Sequence, residues 1–153
     1  MILAAVKRCR FFAKSVMTYQ NEPADHLMLL WKGRARYFFE TPNAKKLILR
    51  WIIAGDIFGG AALVSRASTY LVSTEAVRDS VVLVWDGPTI RALARRFPEL
   101  FENALFLGAD YISWFVAAHA ALTSKTAQER LAHVLLELAT RELANSANMR
   151  LVV

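Results

Sequence analysis

The pattern of apolar and polar positions divides the chain into two halves that meet near Trp85. Before Trp85, short segments rich in apolar residues alternate with turn residues at near-regular intervals, which is typical of a sandwich, jelly roll or small barrel. After Trp85, apolar residues recur at the three- and four-residue spacing of helices. The sequence therefore predicts a β-rich half followed by a helical half.

Within the β-rich half, residues 25–31 run into Lys32-Gly33, a two-residue turn signal, and residues 34–39 follow with partial alternation. This arrangement predicts a hairpin. Further turns are predicted at residues 41–44 and at residues 54–56. The other candidate strands are residues 47–53, 69–77 and 80–85, with Arg78-Asp79 separating the last two.

The helical half begins after Asp86, because Pro88 suits the first turn of a helix that Pro98 then ends. Beyond it, apolar positions follow alternating steps of four and three residues over three heptads, which is an a/d seam. The seam consists of Phe101, Leu105, Gly108, Ile112, Phe115, His119 and Leu122. Pairing with a second helix across a two-fold axis explains so strict a repeat. Packing against the chain's own β-half, with Trp114 and Val116 on that face, is the alternative.

A second long helical segment is predicted to start at Thr126, because Glu129 follows three residues later in the capping-box arrangement. Apolar residues then recur along one face of this helix. They are Leu131, Val134, Leu135 and Leu138.

The high apolar content, 56% of the residues, raises the question of a membrane segment. The longest apolar run, residues 111–122, is shorter than the roughly 20 residues that a spanning helix needs. Near the N-terminus the apolar residues precede the cations, which is the reverse of a signal peptide. We therefore expect a cytoplasmic protein without a membrane span, whose surplus apolar surface belongs to an oligomer interface or a partner domain.

The net charge of +6 is concentrated in residues 1–50, which hold ten Lys/Arg against three acids. A basic surface can attract nucleic acid, but these cations lie among predicted strands, which favours a solvated face. Cys9 is the single cysteine of the sequence. One cysteine excludes an intrachain disulfide and a cysteine-ligated iron–sulfur cluster within one chain.

Several stretches together resemble the Crp/Fnr superfamily of bacterial transcription regulators, over about residues 15–140. They are residues 23–35, the Gly-Asp-x-Phe-Gly motif at Gly55–Gly59, residues 80–85 and residues 130–138. The resemblance implies an α+β protein: an antiparallel β-roll or jelly roll of the cyclic-nucleotide-binding type, then a long dimerisation helix and a short C-terminal helical segment. It implies an effector domain over residues 1–97, the dimerisation helix over 98–124, and an incomplete helix-turn-helix domain over 125–153.

In cyclic-nucleotide-binding members a glutamate holds the ribose hydroxyl, and the arginine of an Arg-Ser pair neutralises the cyclic phosphate. By position the glutamate falls on Gly60, the arginine on Tyr70 and the serine on Leu71, so cyclic AMP is not expected to bind. Arg66 lies nearby in the sequence, and it is the substitute for the missing arginine charge if its loop bends back. The candidate ligand-binding residues are Gly59, Gly60, Ala61, Arg66, Ser68, Thr69 and Tyr70. We expect no bound cofactor.

Residues 141–149 resemble the first helix of the family's helix-turn-helix and the turn after it, and we expect no recognition helix after residues 150–153. One continuous helix over residues 126–148 is the alternative. The chain would then be a shortened gene product or derive from a disrupted reading frame.

Three functions are consistent with these features. The first is a regulator fragment that senses an unknown small molecule, forms a homodimer or pairs with a related regulator, and reaches DNA only through a complete family member. The second is a ligand-free interaction protein that pairs with a full-length relative. The third is a cupin-type enzyme, which requires clustered metal ligands; because His26 is the only histidine of the β-half, we expect no enzyme and no metal site.

Overall fold

The computed structural model describes residues 6–64, 68–124 and 126–150, without the side chains of residues 122–124 and 145–150. The chain divides into two compact units between Phe97 and Pro98. The first unit contains the strands and a short helix, and the second contains two long helices.

The first unit is built on an antiparallel sheet of six strands. The strands are β1 (Lys7–Phe11), β2 (Val16–Thr18), β3 (His26–Glu40), β4 (Lys46–Ile53), β5 (Ile57–Phe58) and β6 (Ser73–Asp86). The order is β1-β6-β3-β4, with β2 pairing with β6 and β5 pairing with β3. The predicted α+β class with an antiparallel β-roll is therefore confirmed.

The predicted hairpin at Lys32-Gly33 is wrong, because both segments belong to the single strand β3. The register between β3 and β6 shifts around Lys32–Ala35, so Gly33 marks an irregularity in a continuous strand. Its φ is +113°, and a Cβ built on it would lie 2.2 Å from the Ser80 Oγ. Gly33 therefore allows a bulge and the close approach of β6 to β3, and it does not form a turn.

The predicted break at Arg78-Asp79 is wrong for a related reason. Residues 73–86 form one strand, β6, which pairs with β3 from His26↔Asp86 to Phe38↔Ser73. Hydrogen bonding along most of the length of both strands keeps polar residues within the ladder, although local composition favours a turn.

Other local predictions are confirmed. The turn at residues 54–56 is present, with Gly55 at φ +96° and the Asp56 carboxylate accepting from the Ile53 N–H at 3.0 Å. Strand β4 agrees with its predicted range to within one residue. The core between the strands is a cluster of buried residues, namely Ala24, Met28, Leu30, Ala35, Ile52, Phe58, Tyr70 and Val82.

Helix α1 (Gly87–Arg96) begins where the sequence predicted it. The Asp86 carboxylate accepts from the Thr89 backbone N–H at 2.8 Å and caps the helix. This hydrogen bond, together with one from the Thr89 side chain, lowers the pKa of Asp86. Pro88 occupies the first turn, where its missing N–H has no helical partner to lose.

The second unit contains α2 (Glu99–Ser124) and α3 (Ala127–Arg150). The capping box before α3 is confirmed, since the Thr126 N–H donates to the Glu129 carboxylate at 2.8 Å and the Glu129 N–H donates to the Thr126 hydroxyl at 3.3 Å. Residues 141–149 continue α3 without a break, as the continuous-helix alternative expected.

Candidate effector site

The segment that resembles the ligand cradle starts at Gly59, directly after β5. Gly59 is in the left-handed conformation at φ +75°, and a Cβ on it would lie 2.3 Å from the His26 carbonyl oxygen. Only glycine fits there without moving the backbone. Gly60 is exposed and has open space where a Cβ would stand, so neither packing nor strain requires a glycine at that position.

A 3₁₀ turn, Gly60–Leu63, follows. Ala62 and Leu63 are buried, and Ala61 packs against the core. The Arg91 Nη1 of α1 donates to the Ala62 carbonyl at 2.8 Å. One arginine close to the cradle is thus engaged with the backbone of the turn and holds it against α1.

The chain after residues 65–67 is tied to the segment before β3. The Ala24 N–H donates to the Ser68 carbonyl at 2.9 Å, and the Tyr70 N–H donates to the Glu22 carbonyl at 2.9 Å. The side chains of Ser68 and Thr69 are exposed. Arg66, proposed above as a substitute cation, lies outside the described residues.

Tyr70 occupies the position carried over from the family's arginine, and its side chain is only 9% exposed. Its hydroxyl donates to the His26 carbonyl and accepts from the His26 N–H, both at 3.2 Å. Burial, partly offset by these contacts with the His26 backbone, raises the pKa of Tyr70. This position therefore presents a neutral, hydrogen-bonded ring, while Leu71 beside it is 82% exposed.

Tyr70→Phe is expected to lower the free energy of unfolding by about 1 kcal/mol, because the His26 backbone loses a hydrogen-bonding partner in a partly buried site. The raised pKa adds a pH dependence. The stabilising contribution of neutral Tyr70 is complete below its ordinary pKa of 10.0 and is lost as pH rises through the raised value.

Urea unfolding of both proteins at pH 7 and above pH 10 checks this expectation. The stability difference between wild type and Tyr70→Phe should shrink at the alkaline pH. A stability difference of the same size at both pH values would contradict the link between the raised pKa of Tyr70 and the stability of the fold.

Arg50 is a residue that the sequence interpretation missed. It is 7% exposed and pairs with Tyr37, two residues from the core residue Ile52 and on the same face of β4. The sequence pattern of β4 indicates this position, because side chains alternate along a strand and Arg50 therefore faces the same side as the buried Ile52. Arg50 is engaged within the fold, so we interpret it as an interior residue of the roll.

Among the described residues no group of three or more His, Cys, Asp or Glu side chains is placed to hold a metal ion.

The seam residues of α2 are strongly exposed. Leu105 is 76% exposed, Ile112 66% and Phe115 60%, while Phe101 is 45% exposed. The side chain of Leu122 lies outside the described residues. The ring of His119 stacks on Phe115 with 6.3 Å between the ring centroids.

The two residues of the alternative packing face differ. The Trp114 Nε1 donates to the Glu137 carboxylate of α3 at 3.0 Å, and Val116 is 60% exposed.

By length and composition alone, residues Glu99–Ala121 could also cross a membrane, and 6% of the most apolar stretch is buried. The shortness of the apolar run therefore does not exclude a span, because tolerated polar residues extend the segment.

A model of the cyclic nucleotide-binding domain matches residues 8–97, which is more than half of the chain. The chain belongs to the cyclic nucleotide-binding domain family. Membership in this family assigns the fold, and it leaves the ligand open, because the resemblance predicts Gly60 and Tyr70 at the positions of the family's two charged contacts.

Solved structures share the fold of the chain. FixK2 from Bradyrhizobium japonicum matches with a TM-score of 0.79 and 21% identity over 89% of this chain and 67% of its own. The Thermus thermophilus catabolite activator protein matches with a TM-score of 0.69 and 23% identity over 80% and 57%. A putative cyclic nucleotide binding protein from Ruegeria pomeroyi is 28% identical over 90% and 60%, with a TM-score of 0.60.

These matches confirm the resemblance to Crp/Fnr-type regulators. The chain spans between 57% and 67% of the three solved proteins. No curated protein matches the chain.

Proposed function

We propose that this chain is the effector and dimerisation module of a Crp/Fnr-type transcription regulator. The observation that carries the proposal is the exposed a/d seam of α2, three of whose large apolar residues are at least 60% exposed. A contiguous apolar row in water is unfavourable, and such rows are usually covered by a partner.

A second copy of the chain is the partner that the seam fits best. An a/d repeat matches an equal repeat on another helix, because each side chain inserts between those of the facing helix. A Cβ on Gly108 would meet no other atom within 4 Å. Nothing among the described residues thus requires glycine at this seam position, whereas close approach of a second helix would.

The effector is expected to differ from cyclic AMP. Its phosphate would face the neutral ring of Tyr70 where other members carry an arginine, and an unneutralised buried charge is costly. A ligand bound in the roll would act by favouring one arrangement of the paired helices, which in a complete regulator would set the orientation of the DNA-reading domains.

The alternative is a ligand-free interaction protein that uses the same seam to pair with a full-length relative. The similar regulators argue against a cupin-type enzyme, which would need a metal-ligand cluster that is not found among the described residues.

Size-exclusion chromatography with light scattering tests the proposal at micromolar concentrations of the chain. We expect twice the mass of one chain without detergent and no rise in melting temperature with millimolar cyclic AMP. A monomer would refute self-pairing, and a saturable rise with cyclic AMP would refute the effector assignment. Recovery of the chain only with membranes would favour a span at Glu99–Ala121.

A further inference from the structure

A cavity of about 500 Å³ lies at β1, β3 and β6. It is partly open to solvent. Its lining residues are Arg8, Arg10, Phe11, Phe12, Lys32, Asp79, Ser80 and Val81.

The strand register explains why three cations meet there. Arg10 and Lys32 both pair with Val81, from opposite sides of β6, so they stand in one row across the sheet. Arg8 is two residues before Arg10 and faces the same side. All three side chains are exposed. They therefore flank a floor formed by β6 and direct positive charge into one concave space.

Among the described residues the lining holds one carboxylate, and it does not neutralise this charge. Asp79 accepts from the Ala13 backbone N–H at 2.9 Å, which occupies one of its oxygens in holding the segment after β1. The hydroxyl of Ser80 donates to the Arg78 carbonyl at 2.7 Å. The cavity thus combines three cations with one carboxylate that is partly engaged elsewhere.

We infer that this cavity binds a small phosphorylated molecule that carries a planar aromatic group, of the size of a nucleotide. Guanidinium and ammonium groups are the usual partners of phosphate oxygens. The volume falls within the range of roughly 300 to 1,000 Å³ that is ordinary for small-molecule sites. Phe12, 75% exposed at the same cavity, offers a ring on which a base could stack.

A small ligand fits this surface better than a nucleic-acid duplex. The cations converge on a concavity, whereas a duplex backbone is convex and needs cations spread along it. The site also differs from the cradle at Gly59–Tyr70 and shares no lining residue with it. The inference stands independently of the function proposed above.

Isothermal titration of the full chain with ADP and, separately, with inorganic pyrophosphate tests the inference. We expect both to bind, and Arg10→Ala and Lys32→Ala each to weaken both about tenfold, since one charge-assisted hydrogen bond is lost. Phe12→Ala should weaken ADP but leave pyrophosphate unchanged, because only the base stacks.

Lys45→Glu is the matched control, because Lys45 is exposed, lies outside the cavity and changes the net charge more than either alanine variant. It should leave both affinities within about twofold of wild type, a difference of a few tenths of a kcal/mol. Equal loss in Lys45→Glu would show a nonspecific charge effect and overturn the site. The site would also be overturned if ADP did not bind. It would be overturned as well if duplex DNA bound in a manner that depends on Arg10 and Lys32 while ADP did not.

Discussion

Ile112→Glu is expected to abolish self-association of the chain, raising the dissociation constant of the dimer by roughly 100-fold or more. Ile112 lies at the middle of the seam, and a two-fold axis would bring the two new carboxylates close to each other in an apolar contact. Ile112 is 66% exposed, so the substitution removes little packing from the single chain. Its melting temperature should change only through the loss of the dimer.

The mass measured by light scattering across a dilution series checks this expectation. Asn103→Glu is the matched control, because it adds the same charge to an exposed position of α2 outside the seam. It should remain dimeric at the concentration where Ile112→Glu is monomeric. A dimer that survives Ile112→Glu would place the contact on another surface, and loss of the dimer in both variants would indicate general repulsion.

Gly33→Ala is expected to lower the free energy of unfolding by about 2–5 kcal/mol. Two costs add at this residue. Its φ of +113° is a conformation that side chains rarely adopt, and the new Cβ would stand 2.2 Å from the Ser80 Oγ and 2.7 Å from the Ser80 Cα. The second contact is with backbone, so β6 would have to move away from β3.

Gly60→Ala is the control for Gly33→Ala, because its Cβ would meet nothing within 4 Å. We expect its stability to stay within about 0.5 kcal/mol of wild type. Urea unfolding followed by tryptophan fluorescence measures both variants. Equal stability of Gly33→Ala and wild type would mean that the bulge between β3 and β6 relaxes at no cost.

Local patterns predicted the helices, strand β4 and the turn at residues 54–56 correctly, whereas β3 and β6 were each predicted as two strands and β1, β2 and β5 were not predicted. The capping box at Thr126 and Glu129, the Pro88 start of α1 and the turn at Gly55 all depend on contacts between residues near in sequence. Such contacts are encoded in a few neighbouring positions, so a sequence pattern suffices to find them.

The candidate sites were predicted less completely, because they depend on residues distant in sequence. The resemblance predicts Gly60 and Tyr70 at the positions of the family's charged contacts, but it does not predict the hydrogen bonds of Tyr70 to the His26 backbone. The basic cavity joins Arg8 and Arg10 of β1 to Lys32 of β3 through β6. The excess of cations in residues 1–50 is evident from the sequence. Which of these cations lie together is decided by the register of β1 and β3 on β6.

The sequence by itself determined the class of fold, the α2 seam and the family resemblance, because hydrophobic periodicity and short motifs are properties of neighbouring residues. Only the tertiary structure decided that Gly33 and Arg78-Asp79 lie inside long strands, since a glycine or a polar pair reads locally as a turn. Pairing between β3 and β6, more than thirty residues apart in sequence, supplies the hydrogen bonds that override that preference. The same pairing buries Ser80 against Gly33 and, together with the pairing of β1 with β6, brings the three cations to one face.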